Sequence, residues 1–227
     1  DGILTLTEVD AFEYMRATHK PVFVVPNGAP LSPQITVQDI ERSGRIVALG
    51  RLVRQKQFHL LIDAFAILAR DFPGWEVVIY GDGPEKGSLE KQIQELGLQS
   101  QVFLPGSTNN AGEAIAESDI CAVTSEYEGF GMVFIEAYAA RKPVVTFDVE
   151  RGPKEIVIDG KTGLKASPFD VADYAKKLRY LMQSKRLRTE LGDAGHRLFM
   201  EKYHIEVVGR KFEAAIATIL QTKHKNR

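Results

Sequence analysis

An α/β fold, a doubly wound parallel sheet of Rossmann-like type with extra C-terminal helices, is predicted by two features of this chain. Short β-branched runs alternate with stretches of helical hydrophobic spacing, and a glycine or polar turn follows nearly every run. Strands that are each followed by a helix imply a parallel sheet covered on both faces. Right-handed crossovers then put the ligand crevice at the carboxyl ends of the strands.

Arg45-Ile46-Val47-Ala48-Leu49-Gly50 is the first such strand, and Leu60, Leu61, Ala64, Phe65 and Leu68 mark one buried face of the helix after it. Trp75 to Tyr80 reads as the second strand, and Glu85 to Leu96 as a helix closed by Gly97. Val102 to Leu104 is a short third strand. Asn110 with Glu113 is an N-cap pair for a helix to Glu117. Ile120 to Thr124 is the fourth strand, Met132 to Ala140 a helix, and Val144 to Phe147 the fifth strand. Lys154 to Ile158 reads as a short helix and Leu164 to Ala166 as the sixth strand. Ser167-Pro168-Phe169-Asp170 starts the next helix, with proline in its first turn. Beyond it the chain reads helical, broken near Ser184 and His204, and Val208, Phe212, Ile216, Ile219 and Leu220 share one face of the last segment.

The first 40 residues stand outside this rhythm. Thr7 to Met15 reads as an amphipathic helix and Val22 to Val25 as a strand ending in Pro26-Asn27-Gly28. Pro30, Pro33 and the polar stretch to Ser43 read as a connector. The expected organisation is a tail of a preceding unit and linker over 1–43, a Rossmann-like domain over 44–203 and a C-terminal helix over 204–227. A simple extension of the same sheet is the alternative for the first segment. The chain opens on Asp1-Gly2 without an initiator Met, which reads as a fragment of something longer.

Composition excludes several functions. In 227 residues, 29 Lys and Arg nearly balance 30 Asp and Glu, so no global basic field attracts nucleic acid or a membrane surface. No aromatic platform accompanies a basic stripe, and the tail Lys223, Lys225 and Arg227 reads as solvated. The single Cys121 rules out an intrachain disulfide framework, fits a reducing compartment and reads as a core residue. The five histidines lack ligand spacing, so no metal site is expected. No apolar run is long enough to span a bilayer.

The strand ends carry the chemistry. After the first strand, Gly50-Arg51-Leu52-Val53-Arg54-Gln55-Lys56 offers a tight turn and cations suited to a diphosphate; a solvated surface is the plainer reading. Gly81-Asp82-Gly83-Pro84 mimics a dinucleotide fingerprint in the wrong βα unit, and a tight turn explains it equally well. The densest signal follows the fourth strand: Ser125-Glu126-Tyr127-Glu128-Gly129-Phe130-Gly131, then a helix carrying Glu136. Glycines let backbone approach a ligand, the helix start offers free N–H groups to phosphate, and the two carboxylates suit polyol hydroxyls. Glu126 is expected to face solvent. After the fifth strand, the charged loop Asp148 to Glu155 either touches a ligand or caps a helix.

Gly50-Arg51-Leu52 with Lys56, Gly81-Asp82-Gly83-Pro84, Phe103-Leu104-Pro105-Gly106 and Glu128-x7-Glu136 occur in this order. Together they resemble the C-terminal, donor-binding domain of retaining glycosyltransferases with the two-domain GT-B fold, glycosyltransferase group 1 (family 4). The likeness runs from about Arg45 to Ala166 and implies the following roles. Gly50 lies in the donor site, and Arg51 and Lys56 hold the donor diphosphate. Glu128 contacts the transferred sugar, the amides of Gly129, Phe130 and Gly131 meet sugar and phosphate, and Glu136 binds the ribose. Main chain near Phe103 and Leu104 reads the base edge. Pro26-Asn27-Gly28 matches the turn ending the family's N-terminal domain, and the last helix matches the segment that crosses back to it.

The resemblance further implies a nucleotide-sugar substrate, a UDP-sugar ahead of a GDP-sugar, with no cofactor and no metal. It implies a cytoplasmic protein of polysaccharide biosynthesis, with a peripheral place at the inner membrane face open to the complete enzyme. The acceptor-binding N-terminal domain is essentially missing, so the chain is expected to bind donor yet be inactive alone. The rival readings are an NAD-dependent oxidoreductase domain, a sugar-nucleotide epimerase, a non-enzymatic nucleotide-binding module and, last, a glycosidase using Glu128 and Glu136.

Overall fold

The computed structural model describes residues 2–31, 44–150 and 152–225. The expected connector lies almost wholly outside these residues, as does Arg151 of the loop after the fifth domain strand. The N-terminal segment folds as β1 (Ile3–Thr5), α1 (Glu8–Ala17) and β2 (Val22–Val24). The main unit runs β3 (Arg45–Leu49), α2 (Phe58–Ala66), β4 (Glu76–Tyr80), α3 (Lys86–Glu95), β5 (Val102–Gly106), α4 (Ala111–Ala116), β6 (Ile120–Val123), α5 (Met132–Ala139), β7 (Val144–Phe147), α6 (Pro153–Ile156) and β8 (Gly163–Ala166). Three helices follow: α7 (Val171–Gln183), α8 (Lys185–Lys202) and α9 (Ile205–Lys225).

Six strands form one parallel sheet in the order β5-β4-β3-β6-β7-β8. Order therefore reverses between β3 and β6, and their carboxyl ends diverge into a crevice. Both sheet faces are buried. Ile46, Ala48, Ile79, Phe147 and Tyr174 lie in the core cluster with α2 and α7, whereas Val47, Cys121, Val123, Phe134 and Tyr138 lie in the one with α5 and α8. Period-two side-chain alternation sends successive strand residues to these two cores.

Some boundaries differ from the sequence expectation for local reasons. Strand β5 continues through Pro105 to Gly106 because it is an edge strand, where a missing N–H is tolerated. Helix α7 begins at Val171, not within Ser167–Asp170. Asp170 is its N-cap, accepting from the Asp173 amide, while Asp173 accepts from the amide and hydroxyl of Ser167. That reciprocal arrangement leaves Pro168 outside the helix.

β1 was too short to read from sequence. It pairs in parallel with β2 as a two-stranded sheet that, among the described residues, has no hydrogen-bonded ladder to the larger sheet. Helix α9 returns to this N-terminal unit: Val208 and Ala215 cluster with Val25, backed by Phe23. The expected apolar face of α9 is only partly covered, since Phe212 and Leu220 stay about half exposed.

Candidate functional site

Two loops meet at the point where strand order reverses. The chain leaving β3 makes a turn at Gly50 and a 3-10 segment at Arg54–Lys56; the chain leaving β6 runs from Thr124 to Gly131. Short polar contacts fasten them together. Thr124 Oγ1 donates to the Lys56 carbonyl at 2.8 Å, the Glu126 amide donates to the Gln55 carbonyl at 2.8 Å, and Gln55 Nε2 donates to the Tyr127 carbonyl at 2.7 Å.

Within this frame Glu128 is buried, and its Oε1 accepts from both Lys56 Nζ and Ser125 Oγ, each at 2.6 Å. Two donors on one oxygen fix the orientation of the side chain and leave Oε2 for other partners. Ser125, Thr124 and Gln55 were not expected as site residues. Their signal was modest: small polar side chains directly at a buried strand's carboxyl end.

Gly131 precedes α5 with φ 88°, and a Cβ there would strike the Phe134 ring. Only glycine suits this position. No side chain caps α5, and the N–H groups of Gly129 to Val133 find no protein acceptor among the described residues. They leave a row of donors at the positive end of a helix dipole, an arrangement that seats an anion. The side chain of Phe130 turns away from that row, packing edge-on against Tyr203 at 6.0 Å. It is therefore the backbone of Phe130, not its ring, that this row presents.

Glu136 sits one turn into α5, partly buried, and accepts no hydrogen bond among the described residues. Burial raises its pKa above the ordinary carboxylate range. Its charge also adds to the burial that pushes the fully buried Cys121 thiol up to about 12, so Cys121 is an inert core residue. Glu126 is exposed, as expected.

Arg51 is exposed and makes no ion pair among the described residues. With Gly50 it edges an open cavity of about 380 Å³ above β3, β4 and β5, also lined by Tyr80, Ser107 and Thr108. Phe103 and Leu104 are not brought to this cavity. Because β5 extends to Gly106, they lie inside the strand, Phe103 in register with Val78 and Leu104 against the core, while Ser107 and Thr108 occupy the carboxyl end.

The Gly81-Asp82-Gly83 turn has a structural role. It pairs with the turn after β3: the Gly50 amide donates to Tyr80, and the Leu52 amide to Asp82. A Cβ on Gly81 would collide with the Gly50 carbonyl oxygen, so its glycine serves loop-to-loop contact. Of the charged loop after β7, Asp148 pairs with Lys165 at 3.1 Å, and Glu155 caps α1.

Among the described residues, no group of three or more His, Cys, Asp or Glu side chains is placed to hold a metal ion, and no helix is long and apolar enough to cross a membrane.

Comparison with known proteins agrees with this architecture. The poly(ribitol-phosphate) alpha-N-acetylglucosaminyltransferase of Staphylococcus aureus (strain COL) is 28% identical over 216 residues, 93% of this chain and 43% of that protein. The poly(glycerol-phosphate) alpha-glucosyltransferase of Bacillus subtilis (strain 168) is 26% identical over 207 residues, 89% of this chain and 30% of its own. Among solved structures, a point mutant of S. aureus TarM in complex with fondaparinux, alpha-GlcNAc-glycerol and UDP superposes with a TM-score of 0.85 at 26% identity, over 94% of this chain and 43% of that one. The chain thus spans less than half the length of these relatives. The family described as glycosyl transferases group 1 matches residues 36–198, the stretch that holds the sheet and both site loops. A six-stranded doubly wound sheet whose order reverses between β3 and β6, matched by that family over most of its length, establishes that this chain belongs to the glycosyl transferases group 1 family and has the fold of one half of a GT-B enzyme.

Proposed function

We propose that this chain is the donor-binding half of a retaining glycosyltransferase, which moves a sugar from a nucleotide-sugar to a glycan or lipid-linked acceptor. One observation carries the reading. The unpaired amides of Gly129 to Val133 stand beside Lys56 and the fixed carboxylate of Glu128, so a diphosphate and a polyol find complementary partners side by side.

In this reading Arg51 and Lys56, with the α5 N-terminus, take the charge that grows on the diphosphate as the C1–O bond to phosphate breaks. The free oxygen of Glu128 accepts from a hydroxyl of the departing sugar, and Glu136 accepts from the ribose hydroxyls. The acceptor oxygen bonds to C1 on the face that the phosphate leaves, and its proton passes to the leaving phosphate oxygen; configuration is retained. The open cavity beside Gly50 and Arg51 receives the base, with Ser107 and Thr108 at its edge. The UDP complex of the TarM relative favours a uridine donor. Because the chain covers less than half of its relatives, the acceptor wall belongs to residues outside it, and the isolated chain binds donor without turnover. One buried cysteine is in keeping with a cytoplasmic place.

Calorimetric titration of the chain with UDP, GDP, ADP, their glucose and N-acetylglucosamine conjugates and NADH tests the assignment. Binding of one nucleoside diphosphate and its sugar conjugate, with NADH weaker, is expected. Preference for NADH, or no binding of any diphosphate, overturns it.

A further inference from the structure

The first turn of α1 is completed by a residue far away in sequence. The Glu8 amide donates to Glu155 Oε2 at 2.9 Å and the Val9 amide to Glu155 Oε1 at 3.1 Å, across 147 and 146 positions. The third first-turn amide stays within the segment: Asp10 donates to Thr7 Oγ1, and the helix's own ladder begins with Ala11 donating to the Thr7 carbonyl. Three of the donors that a helix start leaves open are thereby filled, two of them by one carboxylate at the positive end of the dipole.

An exposed helix start needs no imported carboxylate, since water serves equally well. This one comes from α6, on the other side of a gap between two separate sheets. The same short segment also touches the donor loop: a Cβ on Gly152 would lie 2.6 Å from Glu128 Cβ. Beside the Glu155 cap lies a cavity of about 190 Å³, whose walls include Thr7, Glu8, Phe130, Glu155 and Tyr203. Burial, and secondarily the Glu155 charge, push the Tyr203 phenol up to about 12, so it stays a neutral wall. Gly152, which abuts Glu128, and Glu155, which grips α1, thus lie only three positions apart.

We propose that Glu155 is a positioning residue, whose carboxylate fixes the N-terminal β1–α1–β2 unit against the Glu128–Gly131 loop by capping α1 across the cleft. The proposal rests on the donor-site reading for what the loop does, but the hydrogen bonds can be tested without it. Glu155 orients the wall that faces the donor and takes no part in binding the nucleotide. The glutamine side chain keeps one accepting oxygen and the alanine side chain none, which separates capping from mere packing of α6.

Amide hydrogen exchange at Glu8 and Val9, followed by NMR, and UDP affinity by calorimetry are measured in the wild type, Glu155→Gln and Glu155→Ala. Loss of two charge-assisted bonds is expected to speed exchange at both amides by about tenfold or more in the alanine variant, with the glutamine variant intermediate. Exchange in the six-stranded sheet and affinity for UDP, within about fivefold, stay unchanged because the donor cradle is intact. A smaller change at Glu8 and Val9, glutamine indistinguishable from alanine, or a larger loss of UDP affinity overturns the proposal. If alanine fails to fold, the glutamine variant decides: about threefold or more faster exchange at Val9 supports the cap, and less refutes it. A wild type that binds no nucleoside diphosphate overturns the donor reading instead, and the exchange rates still decide the cap.

Discussion

Lys56 and Glu128, 72 positions apart in sequence, meet at 2.6 Å on the floor of the crevice, and Ser125 shares the same carboxylate oxygen. The two side chains are about 20% and 11% exposed, so the pair is shielded from solvent. This links the two site loops through charge as well as through backbone.

Removing Lys56 therefore acts twice. Lys56→Ala is expected to weaken UDP binding by about 1.5–3 kcal/mol, the range of a charge-assisted contact. It also leaves Glu128 buried with Ser125 as its remaining donor. A Lys56→Ala, Glu128→Gln double variant should lose less stability than the two single changes summed, because the orphaned charge is gone. Denaturant titration of the four proteins reads the coupling; strict additivity would show that the pair contributes nothing.

Ser125→Ala deletes one donor to Glu128 and is expected to cost about 0.5–1.5 kcal/mol of stability. Its functional effect should fall on the sugar. Affinity for a UDP-sugar drops while affinity for UDP holds, since only the former meets the Glu128 carboxylate. Calorimetry with both ligands checks this, and equal losses would place Ser125 in the phosphate site instead.

Glu136 gives a pH signature. Burial raises its folded-state pKa above the usual 4.5, so its favourable contribution is complete below that value and is lost as pH rises through the raised one. Glu136→Gln, neutral throughout, should melt higher than wild type near neutral pH, and the gap should close on acidification. The same variant should weaken UDP but leave 2′,3′-dideoxy-UDP nearly unaffected. Thermal melts from pH 4 to 8, at about half-unit steps across the carboxylate range, and paired titrations read both effects.

Gln57, next to Lys56, is held at φ 47°, in the left-handed region, and its Oε1 is buried without a hydrogen bond among the described residues. Left-handed backbone costs a side-chain-bearing residue roughly 1–2 kcal/mol, and glycine returns roughly 0.4–1 kcal/mol of that through its freer unfolded chain. Gln57→Gly is thus expected to stabilise the protein by roughly 0.5–1 kcal/mol. A loss of stability in denaturant would mean that the glutamine side chain holds the loop by other means.

The sequence by itself determined the order of strands and helices in the main unit, and it placed Arg51, Lys56, Glu128, Gly131 and Glu136 in the loops and helix that follow two of the strands. Those features are local: a β-branched run, a helical period or a glycine at a turn acts within a few residues, and linear order exposes it. Tertiary structure alone decided that Lys56 is held by Glu128, that Ser125 and Thr124 lock the two loops, and that Ser107 and Thr108, not Phe103 and Leu104, edge the cavity. It alone decided that Glu155 caps α1 rather than its own helix, and that the Gly81 turn packs on Gly50. Each is a contact between segments far apart in the chain, fixed by how the strands order themselves in the sheet. Hydrogen-bond partners at such range leave no spacing for a sequence to show.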